Sequence, residues 1–277
     1  MSNLVLFYHF YTPVHFGSGA TLSYVDLPVE RERHTDYPVM PATGIKGVFR
    51  AGYQETNKKE KENAEALFGK SDEEGGLIFT DGKILFFPVK SARRVFVWIT
   101  CPFVLERFER EMQIVDNDFK LDLLNRIKFD NDEQAYVSDD SVLVNGNLIL
   151  EELSFQKKEK FDTNFLKDVD SIDNLRIAVI TDNMFEYFVK NSTEINARIR
   201  IDQTKGTVEE GALWYEELVP AETLFYNLIL ERANQKDLDK IKCFKDFIIN
   251  HKGIFQFGGD ETLGRGFAKV SLFKGGN

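Results

Sequence analysis

Cysteine is scarce in this 277-residue chain: Cys101 and Cys243 are the only two, far apart and beside apolar neighbours. No Cys-x-x-Cys spacing occurs, which excludes a zinc ribbon, and both residues read as buried free thiols rather than a disulfide. No run of about 18 apolar residues exists, so no membrane-spanning helix is expected. The opening Met1-Ser2-Asn3 lacks a basic segment and a cleavage site, so the sequence predicts no signal peptide and a cytoplasmic location. Fixed-period repeats and low-complexity tracts are absent as well, which excludes solenoids and linkers.

Positive charge is also in short supply. The 45 acidic residues against 35 basic ones leave a net charge of -10, which at first argues against a nucleic-acid partner. The distribution changes that reading. Residues 106–173 hold 18 acidic and 9 basic side chains, so the remainder is close to neutral. One acidic segment sets the bulk value, and the rest of the chain has enough cations for a local basic groove. Such clustering is what phosphate contacts require.

What the chain has in plenty is apolar and aromatic side chain: 43% hydrophobic residues and 25 phenylalanines. That suffices for a sizeable core in one elaborated domain or two small ones. Residues 4–11 are apolar on both alternating faces and read as a strand buried on both sides. Residues 12–41 follow as an irregular stretch with Gly17, Gly19 and four of the seven prolines. Loops of that length inside compact domains are usually functional. Thr43 opens a helix with Ile45, Val48, Phe49 and Gly52 on one face and Lys46 and Arg50 together on another. The charged residues 54–65 continue or follow it.

Asp81-Gly82 predicts a hairpin turn between 77–79 and 83–89. Strands are expected at 94–100, 174–181, 222–230 and 267–273. Residues 106–173 read as an acidic inserted subdomain with a turn at Asn145-Gly146. Residues 196–202 and 211–218 read as a β-ribbon. A helix over 237–250 turns Leu238, Ile241, Phe244 and Ile248 inward. The order of strands and helices suggests an α+β fold of ferredoxin-like type.

Four stretches are able to carry chemistry. Asp26 lies on the long loop, where a carboxylate beside glycines can approach a phosphodiester, bind a divalent metal or orient a 2′-hydroxyl. From the residues alone, capping the turn before Pro28 is the simpler role. Histidine titrates near neutrality, so His15 suits an acid, a base or an orienting group; from the residues alone, a histidine bonded to loop backbone is the simpler role. The helix start Thr43-Gly44-Ile45-Lys46-Gly47 with Arg50 suits a phosphate, through free N–H groups and two cations. An ordinary solvated helix fits as well. The turn Gly258-Gly259-Asp260-Glu261-Thr262-Leu263-Gly264-Arg265-Gly266 allows a close backbone approach, or is simply a tight hairpin. In the ribbon, Arg198 and Arg200 either meet a nucleic-acid backbone or are solvated.

Taken in order, these stretches resemble one family. The run Val25-Asp26-Leu27-Pro28-Val29-Glu30-Arg31-Glu32-Arg33-His34-Thr35, then Pro38-Val39-Met40-Pro41, Lys46-Gly47 and Arg50, is similar to the N-terminal half of the fourth Cmr subunit of the RAMP superfamily. Phe87-Pro88-Val89-Lys90-Ser91, Arg198-Ile199-Arg200-Ile201-Asp202, Gly211-Ala212-Leu213-Trp214-Tyr215-Glu216-Glu217 and the glycine-rich turn extend the match nearly end to end. One departure is Ala42-Thr43-Gly44-Ile45-Lys46-Gly47, where the family usually has a Gly-Ser-Ser-Leu-Lys-Gly-like segment.

The resemblance implies a modified ferredoxin-like (RRM-like) palm, an inserted fingers region at 106–173 and a thumb-like β-hairpin at 196–218. It implies a type III-B CRISPR complex in which copies of the chain stack along a guide RNA beside other Cmr subunits. Target RNA would be cut at each kink, in a metal-dependent step using magnesium or manganese, with Asp26 as catalytic residue and metal ligand and His15 assisting. Gly44, Lys46, Gly47, Arg50, Arg198, Arg200, Gly258, Gly259 and Arg265 would contact RNA. Two alternatives stay open: a non-catalytic RNA-binding filament subunit, and a metal-independent guide-processing nuclease using His15 and His34.

Overall fold

A computed structural model describes residues 3–20, 24–56, 61–167, 169, 172–202, 204–232 and 239–273, apart from the side chains of Lys61 and Glu210. It is a mixed α/β structure around one mixed sheet. Among the described residues the sheet has thirteen strands. Residues 57–60 and Leu238, assigned above to a charged helical stretch and to a helix face, lie outside the described residues.

The centre of the sheet is Leu4–Phe10, buried along its whole length. This strand is apolar at every position but His9, so it demands cover on both faces. It pairs antiparallel with Leu224–Glu231 on one side and with Phe267–Leu272 on the other. Beyond Leu224–Glu231 lie Gly82–Lys90 and the short Leu77–Phe79. Numbered along the chain, the four strand positions therefore lie in the order fourth, first, third, second. The helix Ala42–Thr56 falls between the first and second, and the helix Lys240–Asn250 between the third and fourth.

Both helices cover the same face. Phe49 meets Tyr8 of the central strand and packs edge-on against Phe244 at 5.2 Å, and Tyr53 meets Phe247. Ile45, Phe49, Ile241, Phe244 and Ile248 are all buried, as the 3.6-residue period predicts. The opposite face is covered by a helix, Pro102–Met112, whose Phe108 sits between Phe7 and Tyr226.

Two local expectations are corrected. Asp81-Gly82 is not a hairpin turn. Leu77–Phe79 and Gly82–Lys90 both pair with Leu224–Glu231, one continuing the other. Thr80 bridges the junction: its N–H donates to the Leu228 carbonyl and its hydroxyl accepts from the Leu228 N–H, which keeps the chain running straight. The strand expected at 94–100 begins at Phe96, because Arg94 and Val95 take positive φ in a turn.

The acidic stretch 106–173 extends the same sheet. Ile177–Val179 pairs with Phe96–Thr100, and the strands at 134–137, 153–160, 147–150 and 143–144 continue outward from it. The ribbon stands off as a separate two-stranded sheet, Glu194–Asp202 with Thr207–Leu218, slightly longer than expected. Cys101 is buried and Cys243 half-buried, and both are free thiols. Among the described residues, no helix is long and apolar enough to cross a membrane.

Candidate functional site

The strand Thr207–Leu218 organises the site. It leaves the ribbon and enters the body of the protein at its C-terminal end, where Leu218 and Val219 are fully buried. Two parts of the long N-terminal loop dock along that end. Leu27 bridges Glu216 in parallel, and Val14 bridges Val219 antiparallel. The loop also pairs with itself, Gly17 against Val29.

Asp26 is fixed by this docking. Its N–H donates to the Tyr215 carbonyl, and its carboxylate Oδ2 accepts the Tyr215 N–H at 2.8 Å. The residue is half-buried. Its carboxylate is therefore neither locked in the core nor free to roam, and it rides on the root of the ribbon. His15 docks two residues further on. Its Nδ1 lies 2.8 Å from the Glu217 carbonyl, and because a carbonyl only accepts, Nδ1 carries the proton. Nε2 is then the lone-pair nitrogen of the neutral ring. The two anchor points are separated by about 7 Å of strand.

The structure brings three of the four predicted stretches together. His15, Gly44, Gly258 and Gly259 line one cavity of about 300 Å³, with Met40 and Phe257 among its apolar walls. The Gly259 N–H donates to the His15 carbonyl. Gly258, at φ +83, has no room for a side chain: a Cβ would stand 2.5 Å from the His15 carbonyl oxygen. Gly266 is held as tightly against the Phe257 carbonyl. The glycines thus shape the wall behind His15. The turn is also a hairpin connection, since Ile254–Gln256 pairs with Phe267–Leu272.

Lys46, Gly47 and Arg50 line a neighbouring groove of about 560 Å³, which shares Thr43 with the first cavity. Lys70 adds a third cation there, opposed by Asp72, Glu73 and Glu74. Arg265 is half-buried close to Glu194, whose carboxyl burial pushes up and the Arg265 charge pulls back.

The ribbon arginines behave differently from each other. Arg198 Nη1 contacts Glu216 at 2.8 Å and Asp260 at 2.6 Å. It ties the ribbon to the glycine-rich turn rather than standing free. Burial raises the Glu216 carboxyl above its ordinary range, and a hydrogen bond to Asp260 adds to this. Burial pushes Asp260 up as well, but hydrogen bonds from Glu216 and Arg198 outweigh it and hold Asp260 low. Arg200 is largely exposed, with Glu209 3.6 Å away.

Sequence reasoning missed Glu216, Glu217 and Asp260. A signal was present: two carboxylates running directly into apolar Leu218-Val219 cannot both stay solvated on a strand whose side chains alternate. Arg31 and Glu32, which entered only through the family resemblance, are half-buried anchors of the long loop. Arg31 meets Glu217, and Glu32 meets Arg107 of the helix Pro102–Met112.

The family model of the RAMP superfamily matches residues 8–269. The CRISPR system Cmr endoribonuclease Cmr4 of Pyrococcus furiosus is 39% identical over 280 residues, covering 94% of this chain and 92% of that protein. The CRISPR system CMR subunit Cmr4 of Saccharolobus solfataricus is 24% identical, with the same coverage of both chains. Among solved structures, oligomeric Cmr4 from Pyrococcus furiosus superposes with a TM-score of 0.77 at 31% identity and covers 100% of both chains. A subunit of the type III-B Cmr-beta complex bound to cognate target RNA gives a TM-score of 0.81 at 22% identity. It covers 98% of this chain and 97% of its own.

Proposed function

The chain belongs to the RAMP superfamily and, within it, to the family of Cmr4 subunits of CRISPR systems, and from that premise we propose that it is a backbone subunit of a type III-B Cmr complex that cuts target RNA at Asp26. The observation that carries the residue assignment is the clamp between Asp26 and Tyr215, which holds a half-buried carboxylate at the root of a protruding ribbon. On this reading the four-stranded core with its two helices is a ferredoxin-like palm. The strands of 106–173 are the fingers and the ribbon is the thumb.

The partners follow from the same premise. Guide RNA lies over the groove of Lys46, Gly47 and Arg50 and the cavity wall of Gly44, Gly258 and Gly259. The Ala42 N–H at the start of Ala42–Thr56 is taken by the Asp81 carboxylate, so the positive end of the helix dipole and the two cations are what suit its phosphates. Further copies of the chain stack beside it, among other Cmr subunits. Arg200 is the ribbon cation available to RNA, and Arg265 lies beside the ribbon's first strand; Arg198 acts through the ribbon, because Glu216 and Asp260 already hold it.

In regular A-form RNA the 2′-hydroxyl is out of line with its own phosphate. A wedge that unstacks one nucleotide lets the hydroxyl swing in line and attack. The oxygen–phosphorus bond to the next nucleotide breaks as the new one forms. Asp26 orients the attacking hydroxyl, and His15, whose Nδ1 faces the Glu217 carbonyl, offers Nε2 of its neutral form as a base for that proton, while the leaving 5′-oxygen takes a proton from water. Among the described residues, no three His, Cys, Asp or Glu side chains gather as a ready-made metal cage. One available carboxylate suits a magnesium or manganese ion completed by water and substrate phosphates. Asp26 would hold such an ion, which supplies electrostatic stabilisation of the charge developing on phosphate oxygens.

The test is Asp26→Ala in the assembled complex with target RNA and magnesium. Cutting is expected to disappear while target binding persists, and chelator should have the same effect on the unaltered complex. Undiminished cutting by the variant removes Asp26 from the role. Protection of target RNA without cutting by the unaltered complex establishes the scaffold alternative.

A further inference from the structure

Among the described residues around the site, the Glu217 carboxylate accepts from three separate groups. The residue is 6% exposed. Its Oε2 accepts the Val29 N–H at 3.0 Å, three residues beyond Asp26. Its Oε1 accepts from the Thr193 hydroxyl and from the Arg31 guanidinium. Its own N–H donates to the Leu27 carbonyl, and its carbonyl accepts from His15. One residue thus grips the loop on the far side of Asp26, the entrance to the ribbon and the imidazole.

A purely structural role would need less. Arg31 already bonds the Asp36 and Val189 carbonyls, so the loop around Arg31 is secured without Glu217. What Glu217 adds is a second hold on the segment Leu27–Val29, from both its backbone and its carboxylate, beside the Tyr215 carbonyl that takes the Leu27 N–H and the Ser18 N–H that reaches the Pro28 carbonyl. That segment sets where the Asp26 carboxylate points. The same residue's carbonyl fixes the tautomer that leaves His15 Nε2 as an acceptor.

We infer that Glu217 is a positioning residue for RNA cleavage: it sets the Asp26 loop and the His15 ring in one register against the ribbon and touches no substrate itself. The inference rests on the proposed role of Asp26. Displacing a reacting group by about 1 Å costs on the order of 10²-fold in rate, whereas affinity from distant phosphate contacts is untouched.

The experiment compares Glu217→Ala, Glu217→Gln and Asp26→Ala in complexes assembled with guide RNA, measuring single-turnover cutting at saturating target and target affinity separately. Glu217→Ala is expected to cut about 10²-fold more slowly with affinity within about twofold. Glu217→Gln, whose remaining oxygen still accepts the Val29 N–H while its NH2 donates to the Thr193 hydroxyl, should recover part of the loss. Unchanged cutting by Glu217→Ala overturns the inference, as does a rate loss matched by equal loss of target affinity. If Glu217→Ala fails to assemble, Glu217→Gln decides: slower cutting at unchanged affinity supports positioning, and unchanged cutting overturns it. The Asp26→Ala arm separates the two claims, because full activity there removes the catalytic assignment itself and not the Glu217 step alone.

Discussion

Breaking the ion pair between Glu32 and Arg107 should cost more stability than any exposed charge pair in the molecule. The two side chains are 10% and 5% exposed. Arg107 Nη1 reaches both carboxylate oxygens of Glu32, at 2.7 and 2.8 Å, and the Thr35 hydroxyl donates to Oε2. The guanidinium also lies over the Phe103 ring at 5.6 Å. Removing Glu32 leaves a buried cation without its counter-charge, which costs about 3–5 kcal/mol. At about 2–4 °C per kcal/mol for a large domain, Glu32→Ala should lower the melting temperature by about 6–20 °C.

The sign of the coupling separates this from a generic packing loss. Burying a charge pair gains little net energy over apolar groups of similar volume, so Glu32→Leu with Arg107→Met should lie within about 1–2 kcal/mol of the unaltered protein. The assay is a double-mutant cycle by denaturant unfolding, read at one pH and salt concentration. Losses that simply add would refute the reasoning, because they would mean that neither charge feels the other. The pair also anchors the loop six residues past Asp26, so Glu32→Ala should slow cutting along with the fall in stability.

Phe49→Ala should destabilise by about 3–5 kcal/mol, because the ring is fully buried against Tyr8, Phe244, Phe255 and Phe257; calorimetry checks this. Lys46→Ala with Arg50→Ala should weaken guide-RNA binding and flatten the dependence of log affinity on log salt by about 1.4, for two phosphate contacts to a single strand; a filter-binding series in salt reads the slope. Glu216→Gln should make stability fall more steeply on acidification. The raised Glu216 favours folding at low pH and loses that contribution as pH rises through its folded value; Asp260, held low, contributes above its unfolded value and is lost as pH falls. The amide removes the first effect and leaves the second, and unfolding curves between pH 4 and about 7 show the difference.

The scaffold was largely legible because it is written in local periodicity. Leu4–Phe10 is apolar at every position but His9, and Ile241, Phe244 and Ile248 recur at helical spacing. What was not legible depends on partners distant in sequence. Asp81-Gly82 carries a strong local turn signal, yet the pairing of both flanks with one distant strand overrides it. Arg198 read as a free cation because Asp260, 62 residues away, is invisible to any local rule. His15 and Gly258 share a wall although 243 positions separate them, and only the closure of the sheet around the central strand brings them together. Asp26 is proposed through family resemblance; its neighbours and spacing alone pointed no further than a turn cap.

On the proposed reading, the ribbon carries wedge and chemistry on one element. Its protruding part carries an exposed apolar row, with Ile199 opposite Leu213 and Ile201 opposite Val208. Its root carries the Tyr215 N–H that holds Asp26 and the Glu217 group that holds the loop and His15. A β-ladder transmits displacement along its length because each paired residue fixes the next. On the proposed reading, inserting the tip between nucleotides loads the same strand on which the carboxylate rests. The distance from the unstacked base to the reacting group is then set inside one subunit, and the spacing of cuts is set only by how far apart successive copies stand. A free carboxylate on an independent loop would need both distances fixed separately. Here one pair of hydrogen bonds between Asp26 and Tyr215 couples them.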